Sequence, residues 1–450
     1  MRASPFLKFI AVLSWAVPAA ATIWPIMPNT EVQPLGNNWG NYQNYGSSAA
    51  NGYFHNGIDI ITPGRQGATV VAVAHGWVKG WGTIQQDLHW RLAISDSPMS
   101  WTGRSPGWLY AHIDKDRPHS SVGDEVFPGD TIGYLVPWSP PGFAHIHFAR
   151  ISDTGAYWDR FPNYTWWFIE NPILQLEPSG DLYPPVFDNA RPGQLLAFCR
   201  DNRDNQYLSP DSLVGAVDII ARIYDKSGYT TGNDTWDKLA PFCIEHMIRR
   251  DDGLVVRPWT LSFEFSNRLE ASNVSVVYKW DNTCRSRGDY SRREYFYIIT
   301  NTTGDSMIRR SDTTGNWNTA AVGDGNYWVV VRAEDHVGNT SVDSMRVTTK
   351  NGVGVADLPG LLAAPLRAPV CPTRGPGRLR FALARPAEVE LVVFDAAGRV
   401  AARPARGRLA AGEHAFTLPG LPAGVYLAEL RIRGETGPEA NRRAKLVIAR

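Results

Sequence analysis

The chain has 450 residues, 43% hydrophobic and 20% charged, with a formal net charge of +1. That balance is globular, not disordered, and gives no electrostatic reason to expect nucleic acid or an anionic membrane surface as partner. The length needs more than one core, and about three domains are expected.

Arg2 and Lys8 flank a short apolar run, Phe9 to Val17, followed by Pro18 and Ala19-Ala20-Ala21. This is the layout of a secretory signal over residues 1–21, and the apolar run is too short to span a bilayer. The mature protein is expected to be secreted or held at the cell surface, in the periplasm or outer membrane of a bacterium. The four cysteines, at 199, 243, 284 and 371, form no C-x-x-C pair. In an oxidising compartment one or two disulfides are expected among Cys199, Cys243 and Cys284, with connectivity unassigned.

Residues 22–178 are dense in Gly, Trp and short apolar runs. ATVVAVAHGWVKGW, RLAISD, WLYAHI and AHIHFARI read as strands, β-branched and aromatic and bounded by Gly, Pro and Asp. No helical period is sustained, so an antiparallel β domain follows. DLYPPVFDNARPG marks a boundary. Residues 179–350 carry a second β pattern, in VGAVDIIARIYD, SNVSVVYKW and GNYWVVVRAEDHVGNTS, spaced as in an immunoglobulin-like sandwich. Within it, DTWDKLAPFCIEHMIRR is expected to hold a helical turn or two. The Pro-, Gly- and Ala-rich residues 351–371 read as a linker. Residues 372–450 gain Arg and Ala, lose Trp, and form a last compact β domain with a hairpin turn at Asp395–Gly398. The fold class is all-β throughout.

The chemistry lies in the first third. His55 and Asp59 form a His-x-x-x-Asp, His145 and His147 a His-x-His, and His112 sits in LYAHI. In a strand, residues two apart share a face, so His145 and His147 project together while Ile146 and Phe148 point into a core. His55, Gly57 and Asp59 share a face if that segment is extended, opposite Ile58 and Ile60. Two such faces side by side supply two imidazoles and a carboxylate, a donor set suited to zinc with a fourth position open to water. His112, and whichever histidine is not a ligand, remain for proton transfer. The expectation is metal-assisted hydrolysis with one Zn2+ per domain.

The order His55-Asn-Gly-Ile-Asp-Ile, Ala72-Val-Ala-His-Gly-Trp-Val78, Trp108-Leu-Tyr-Ala-His112-Ile, Val122-Gly-Asp-Glu-Val126, Gly129-Asp-Thr-Ile-Gly133 and His145-Ile-His147-Phe148 resembles the lysostaphin-type, or LytM-like, zinc endopeptidases. The resemblance implies that His55, Asp59 and His147 are the zinc ligands and that His112 and His145 are the catalytic pair. It also implies peptidoglycan peptides as substrate. The chain departs from the pattern at Ala149, where an acidic residue usually follows the aromatic, and in a long Trp-rich stretch before Trp108. The C-terminal run, with FDAAGRV, LPAGVYLAELR and KLVIAR, is similar to FlgD-like immunoglobulin folds and to type IX secretion sorting domains. That similarity implies the outer-membrane secretion machinery as a partner.

His75, His89 and His119 read as surface or turn residues, and Trp166-Trp167 with the tryptophans from 77 to 108 as core or loop anchors more than as a substrate wall. Asp114 and Asp116 read as a solvated turn. Two other functions stay open: a catalytically inactive LytM-like module that binds or regulates at the cell wall, and the same chemistry on an extracellular protein.

Overall fold

The computed structural model describes residues 22–45, 52–62, 65–83, 87–138, 144–158, 166–226, 235–351, 362–368, 373–374, 377–383, 386–418, 420–433 and 440–449. The signal expected at 1–21, Cys371 and most of the 351–371 stretch lie outside them. The fold is all-β, and the α-helix among the described residues is the four-residue Val274–Val277. Among the described residues no helix is long and apolar enough to cross a membrane.

The first body is an eight-stranded sheet. Its order is Leu35–Asn37, Ile58–Ile61, His145–Asp153, Ser105–Ala111, Trp90–Ser95, Gly76–Thr83 and Glu125–Val126, with Trp167–Glu170 also paired to His145–Asp153. All its pairings are antiparallel. Alternation sorts the side chains as the sequence requires. Ile58, Ile60, Leu92, Ile94, Tyr110, Ile146 and Phe148 fill one core. On the opposite face Leu109, Ala111, Ala149 and Ile151 pack under Trp158 and Trp166, both buried. Ala149 is small and apolar for that reason: a carboxylate there would sit under an indole layer without water.

The second body is a two-sheet sandwich. One sheet is built on Ala216–Tyr224, which pairs with Val186–Asp188, Leu196–Arg200, Phe296–Ile298 and Trp317–Asn318. The other runs Val255–Glu264, Cys243–Arg250, Gly325–Glu334 and Thr340–Thr349. FCIEHMIRR is therefore strand and not helix. Ile244, His246 and Ile248 are buried between half-buried neighbours, a period of two. Among the described residues the expected disulfides do not form: Cys199, Cys243 and Cys284 are free thiols. Cys243 lies in the sheet opposite Cys199, and the Cys199 and Cys284 thiols each turn to a backbone carbonyl, of Arg203 and Ala190. The third body has its own core, built from Leu379, Phe381, Leu391, Val393, Leu430 and Leu446 among others, and the Asp395 turn closes as expected, with Gly398 N–H on the Asp395 carbonyl and φ +78°.

The core of the sandwich extends across the boundary near residue 180. Trp39, Tyr42 and Phe54, from the N-terminal segment, are buried in the same cluster as Phe265, Tyr278 and Tyr297. Gly288 lies so close to this segment that a Cβ there would stand 1.7 Å from the Tyr42 carbonyl oxygen. Losing a buried Phe or Trp from a core costs roughly 3–5 kcal/mol. A chain ending at residue 178 exposes three such aromatics. It is expected to be insoluble or molten by near-ultraviolet circular dichroism, whereas residues 22–351 give a cooperative transition.

His246 supplies a second check. Its Nδ1 meets the Ser262 hydroxyl at 2.9 Å, and Arg257 donates to its Nε2 at 3.2 Å. Burial, then the Arg257 charge, pushes its pKa down to about 3. An unfolded histidine titrates near ~6.5, so this contribution is fully present above that pH and is lost as pH falls toward 3. The loss is on the order of 5 kcal/mol across the interval. His246→Gln, which keeps a donor and an acceptor, should flatten the decline between pH 6.5 and 3 in urea unfolding.

Candidate metal centre

Strand register brings the sequence candidates together. Asp59 lies opposite His147, His147 opposite Ala111, and Ala111 opposite Arg91, while Asn37 flanks Asp59 on the other side. Asn37, Asp59, His147, Ala111 and Arg91 thus form one row across five strands. His55 enters from just before the Ile58–Ile61 strand, and His112 follows the end of Ser105–Ala111.

Three donor atoms converge at one end of this row. His55 Nε2 is 3.0 Å from His147 Nδ1 and 3.1 Å from Asp59 Oδ1, and His147 Nδ1 is 3.0 Å from the same oxygen. Ligands of a tetrahedral zinc at 2.0–2.1 Å would lie about 3.3 Å apart, so the set fits a small divalent cation. The proton inventory agrees. His55 Nδ1 faces the Asn38 carbonyl at 3.2 Å and donates to it, which leaves Nε2 as a lone pair. Burial works to raise the Asp59 pKa, but the neighbouring His55, His145 and His147 hold it well below the ordinary carboxylate value. Burial pushes His147 down to about 4. Both groups therefore present lone pairs at neutral pH. Gly57 makes room for the ring: a Cβ there would stand 2.5 Å from His147 Cε1.

A second histidine pair lies alongside. The His145 and His112 rings are 4.5 Å apart, edge to face, and Trp138 sets its edge against both, at 4.8 Å from His112 and 4.9 Å from His145. His145 Nε2 is 4.0 Å from Asp59 Oδ2, which links the two groups. His112 has φ +69°, a left-handed conformation rare for a residue with a Cβ. Its carbonyl accepts from Val136 N–H and its Nδ1 donates to the Leu88 carbonyl at 2.7 Å. Burial, and next the His145 charge, hold its pKa well below the usual histidine value. The neutral ring thus presents Nε2 as an acceptor.

Several partners carry no sequence motif. Asn37 donates to Asp59 Oδ2 at 2.6 Å, leaving Oδ1 for the donor cluster. Asn41 donates to Asn37 Oδ1 at 3.2 Å and to the Tyr295 hydroxyl at 3.1 Å, and accepts from Ala240 N–H at 2.6 Å. Asn38 in turn donates to the Ala240 carbonyl, and Arg293 donates to the Gly36 carbonyl. The sandwich thus braces the segment that holds both His55 and Asp59. Asn-Asn-Trp-Gly-Asn, an unremarked polar run in the sequence, is that brace. His89, expected at the surface, is half-buried with its ring 5.2 Å from His112. Asp114 caps its own turn by accepting from Asp116 N–H, as a turn residue does. His75 pairs with Glu125 on the surface, and His119 stacks on Trp81. Trp108 and Trp166 are core residues, whereas Trp167 is half exposed with Arg268 stacked over it.

No family model matches the chain, and no curated protein matches it in sequence. Solved structures do. The antimicrobial peptidase lysostaphin from Staphylococcus simulans is 13% identical, covering 62% of this chain and 100% of its own, at a TM-score of 0.25. Dimeric latent PorU from Porphyromonas gingivalis is also 13% identical, covering 84% of this chain and 34% of its own, at a TM-score of 0.19.

Asn37→Ala should leave the fold intact while loosening Asp59. Loss of such an orienting partner typically weakens metal affinity by about 10–100-fold, which competition against a chromogenic zinc chelator would read directly.

Proposed function

We propose that the chain is an exported zinc metallopeptidase that hydrolyses peptide bonds of bacterial peptidoglycan. The observation that carries this reading is the convergence of His55, Asp59 and His147 within 3.0–3.1 Å of one another, beside a second pair of histidines, His112 and His145. A binding module has no chemical need for the second pair. Peptidoglycan as substrate follows from the LytM-like order of motifs between His55 and Phe148, and export from the signal-like residues 1–21.

The residues divide the work as follows. His55, Asp59 and His147 hold zinc, with Asn38 and Asn37 fixing the ring of the first and the carboxylate of the second. Zinc, when bound there, supplies a Lewis acid that polarises the scissile carbonyl and lowers the pKa of water to roughly 7. His112 accepts a proton at Nε2, since its Nδ1–H is committed to Leu88. His112 then returns that proton to the leaving amine, while His145, between His112 and Asp59, is placed to stabilise the oxygen of the tetrahedral intermediate. Trp138 walls the pair and limits water. The C-terminal body, through its sorting-like sequence, takes the protein to the outer-membrane secretion machinery.

The test uses the full mature chain. Purified protein is expected to carry one zinc and to release muropeptides from peptidoglycan in a chelator-sensitive manner. His147→Ala should lose both zinc and hydrolysis. His112→Ala should keep zinc while kcat/KM falls by about 10²–10⁴. Hydrolysis surviving in His147→Ala would sink the mechanism. A zinc-loaded chain that binds peptidoglycan without cleaving it would establish the inactive module instead, and cleavage of a protein but not of peptidoglycan would reassign the substrate.

A further inference from the structure

A second convergence of oxygen donors lies far in sequence from the histidines. Asp181 comes from the connection between the first sheet and the sandwich, Asp225 from the end of the Ala216–Tyr224 strand, and Asp335 from the residue after Gly325–Glu334. All three are buried, at 5%, 2% and 1% exposure, and offer ligand atoms within 4.8 Å of one another.

Ordinary hydrogen bonding accounts for only part of this cluster. Asp335 is well supplied: Oδ1 accepts from Val337 and Asn339 N–H, and Oδ2 from the Asn339 amide. Asp181 Oδ1 accepts from Tyr183 N–H at 2.9 Å. Asp181 Oδ2 and Asp225 Oδ1, by contrast, are buried with no hydrogen-bond partner. Such atoms are costly unless something compensates them. No ion pair among the described residues reaches any of the three.

We infer that Asp181, Asp225 and Asp335 form a calcium site that ties the interdomain connection to the ends of two strands in opposite sheets of the sandwich. The donor set is all oxygen, with no nitrogen or sulfur, which suits a hard cation. Two oxygens on one calcium, at 2.3–2.6 Å each, can stand up to about 5 Å apart, so the spacing is compatible. Three carboxylates supply up to six ligand oxygens, and backbone carbonyls or water complete the shell. The Asn339 amide donates to the Asp181 carbonyl at 2.8 Å, which holds the connection against the same loop. The ion is independent of the proposed hydrolytic function; zinc enters its test only to keep the histidine cluster occupied.

The experiment is calorimetric titration of the full mature chain, stripped with chelator and reloaded with one zinc, using CaCl2 alone as probe. One saturable calcium per chain is expected, with a melting temperature that rises as calcium is added. Asp225→Asn should bind calcium at least tenfold more weakly and keep its zinc. Because that substitution removes one of three clustered charges, its calcium-free melting temperature should lie above that of the calcium-free wild type, which separates a lost site from a lost fold. Absence of saturable binding by the wild type, or undiminished binding by Asp225→Asn, would overturn the assignment. A variant that melts below the calcium-free wild type would also count against it, because the cluster would then be held by a shared proton and not by a cation.

Discussion

The register of one strand governs the first third of this protein. His145–Asp153 pairs with Ile58–Ile61 on one side and Ser105–Ala111 on the other, and everything in the donor cluster depends on those two pairings. Because side chains alternate, a slip of one residue would send His145 and His147 into the core and bring Ile146 and Phe148 out. The large buried rings of Phe148, Tyr110 and Trp108, packed against one another at about 5 Å, make such a slip prohibitive. The polar face is held in place by the apolar one behind it.

That sheet does not stand alone. The stretch from Gly36 to Asn41 belongs to two structures at once. Its backbone and amides hold His55 and Asp59, while Trp39 and Tyr42 reach into the core of the sandwich. The sandwich carries no histidine pair of its own near the cleft, yet Ala240, Arg293 and Tyr295 fix the groups that fix the ligands. Tyr290 extends the contact, with its ring 4.6 Å from that of Tyr45.

Much of this was legible beforehand. The period-two pattern around Ile58, Ile60, Ile146 and Phe148 gave the two faces of the sheet, and the all-β reading followed from strand composition. The spacing of His55, Asp59, His145 and His147 anticipated the residues that meet. What escaped was everything made by backbone or by distant chain. The Asn38 and Leu88 carbonyls carry no sequence signal, and Asn37 and Asn41 are ordinary until the fold places them. DTWDKLAPFCIEHMIRR was expected to hold a helical turn or two, but pairing on both edges makes its second half, Cys243–Arg250, a strand. The disulfide expectation failed because compartment was its only basis, whereas geometry separates Cys243 from the others. Ala149 looked like a departure from a motif and is a consequence of Trp158 and Trp166 above it.

The Asn38 carbonyl has a wider meaning. It receives the His55 proton, and its own side chain is tied to Ala240 in the sandwich. Free energies coupled through a shared element are reciprocal. Whatever stiffens the sandwich sharpens the imidazole's aim, and whatever grips the imidazole resists the sandwich's opening. Seen this way, the second body works as a remote tuning element for the first, and substitutions there that never approach His55 can still set how firmly its ring is aimed.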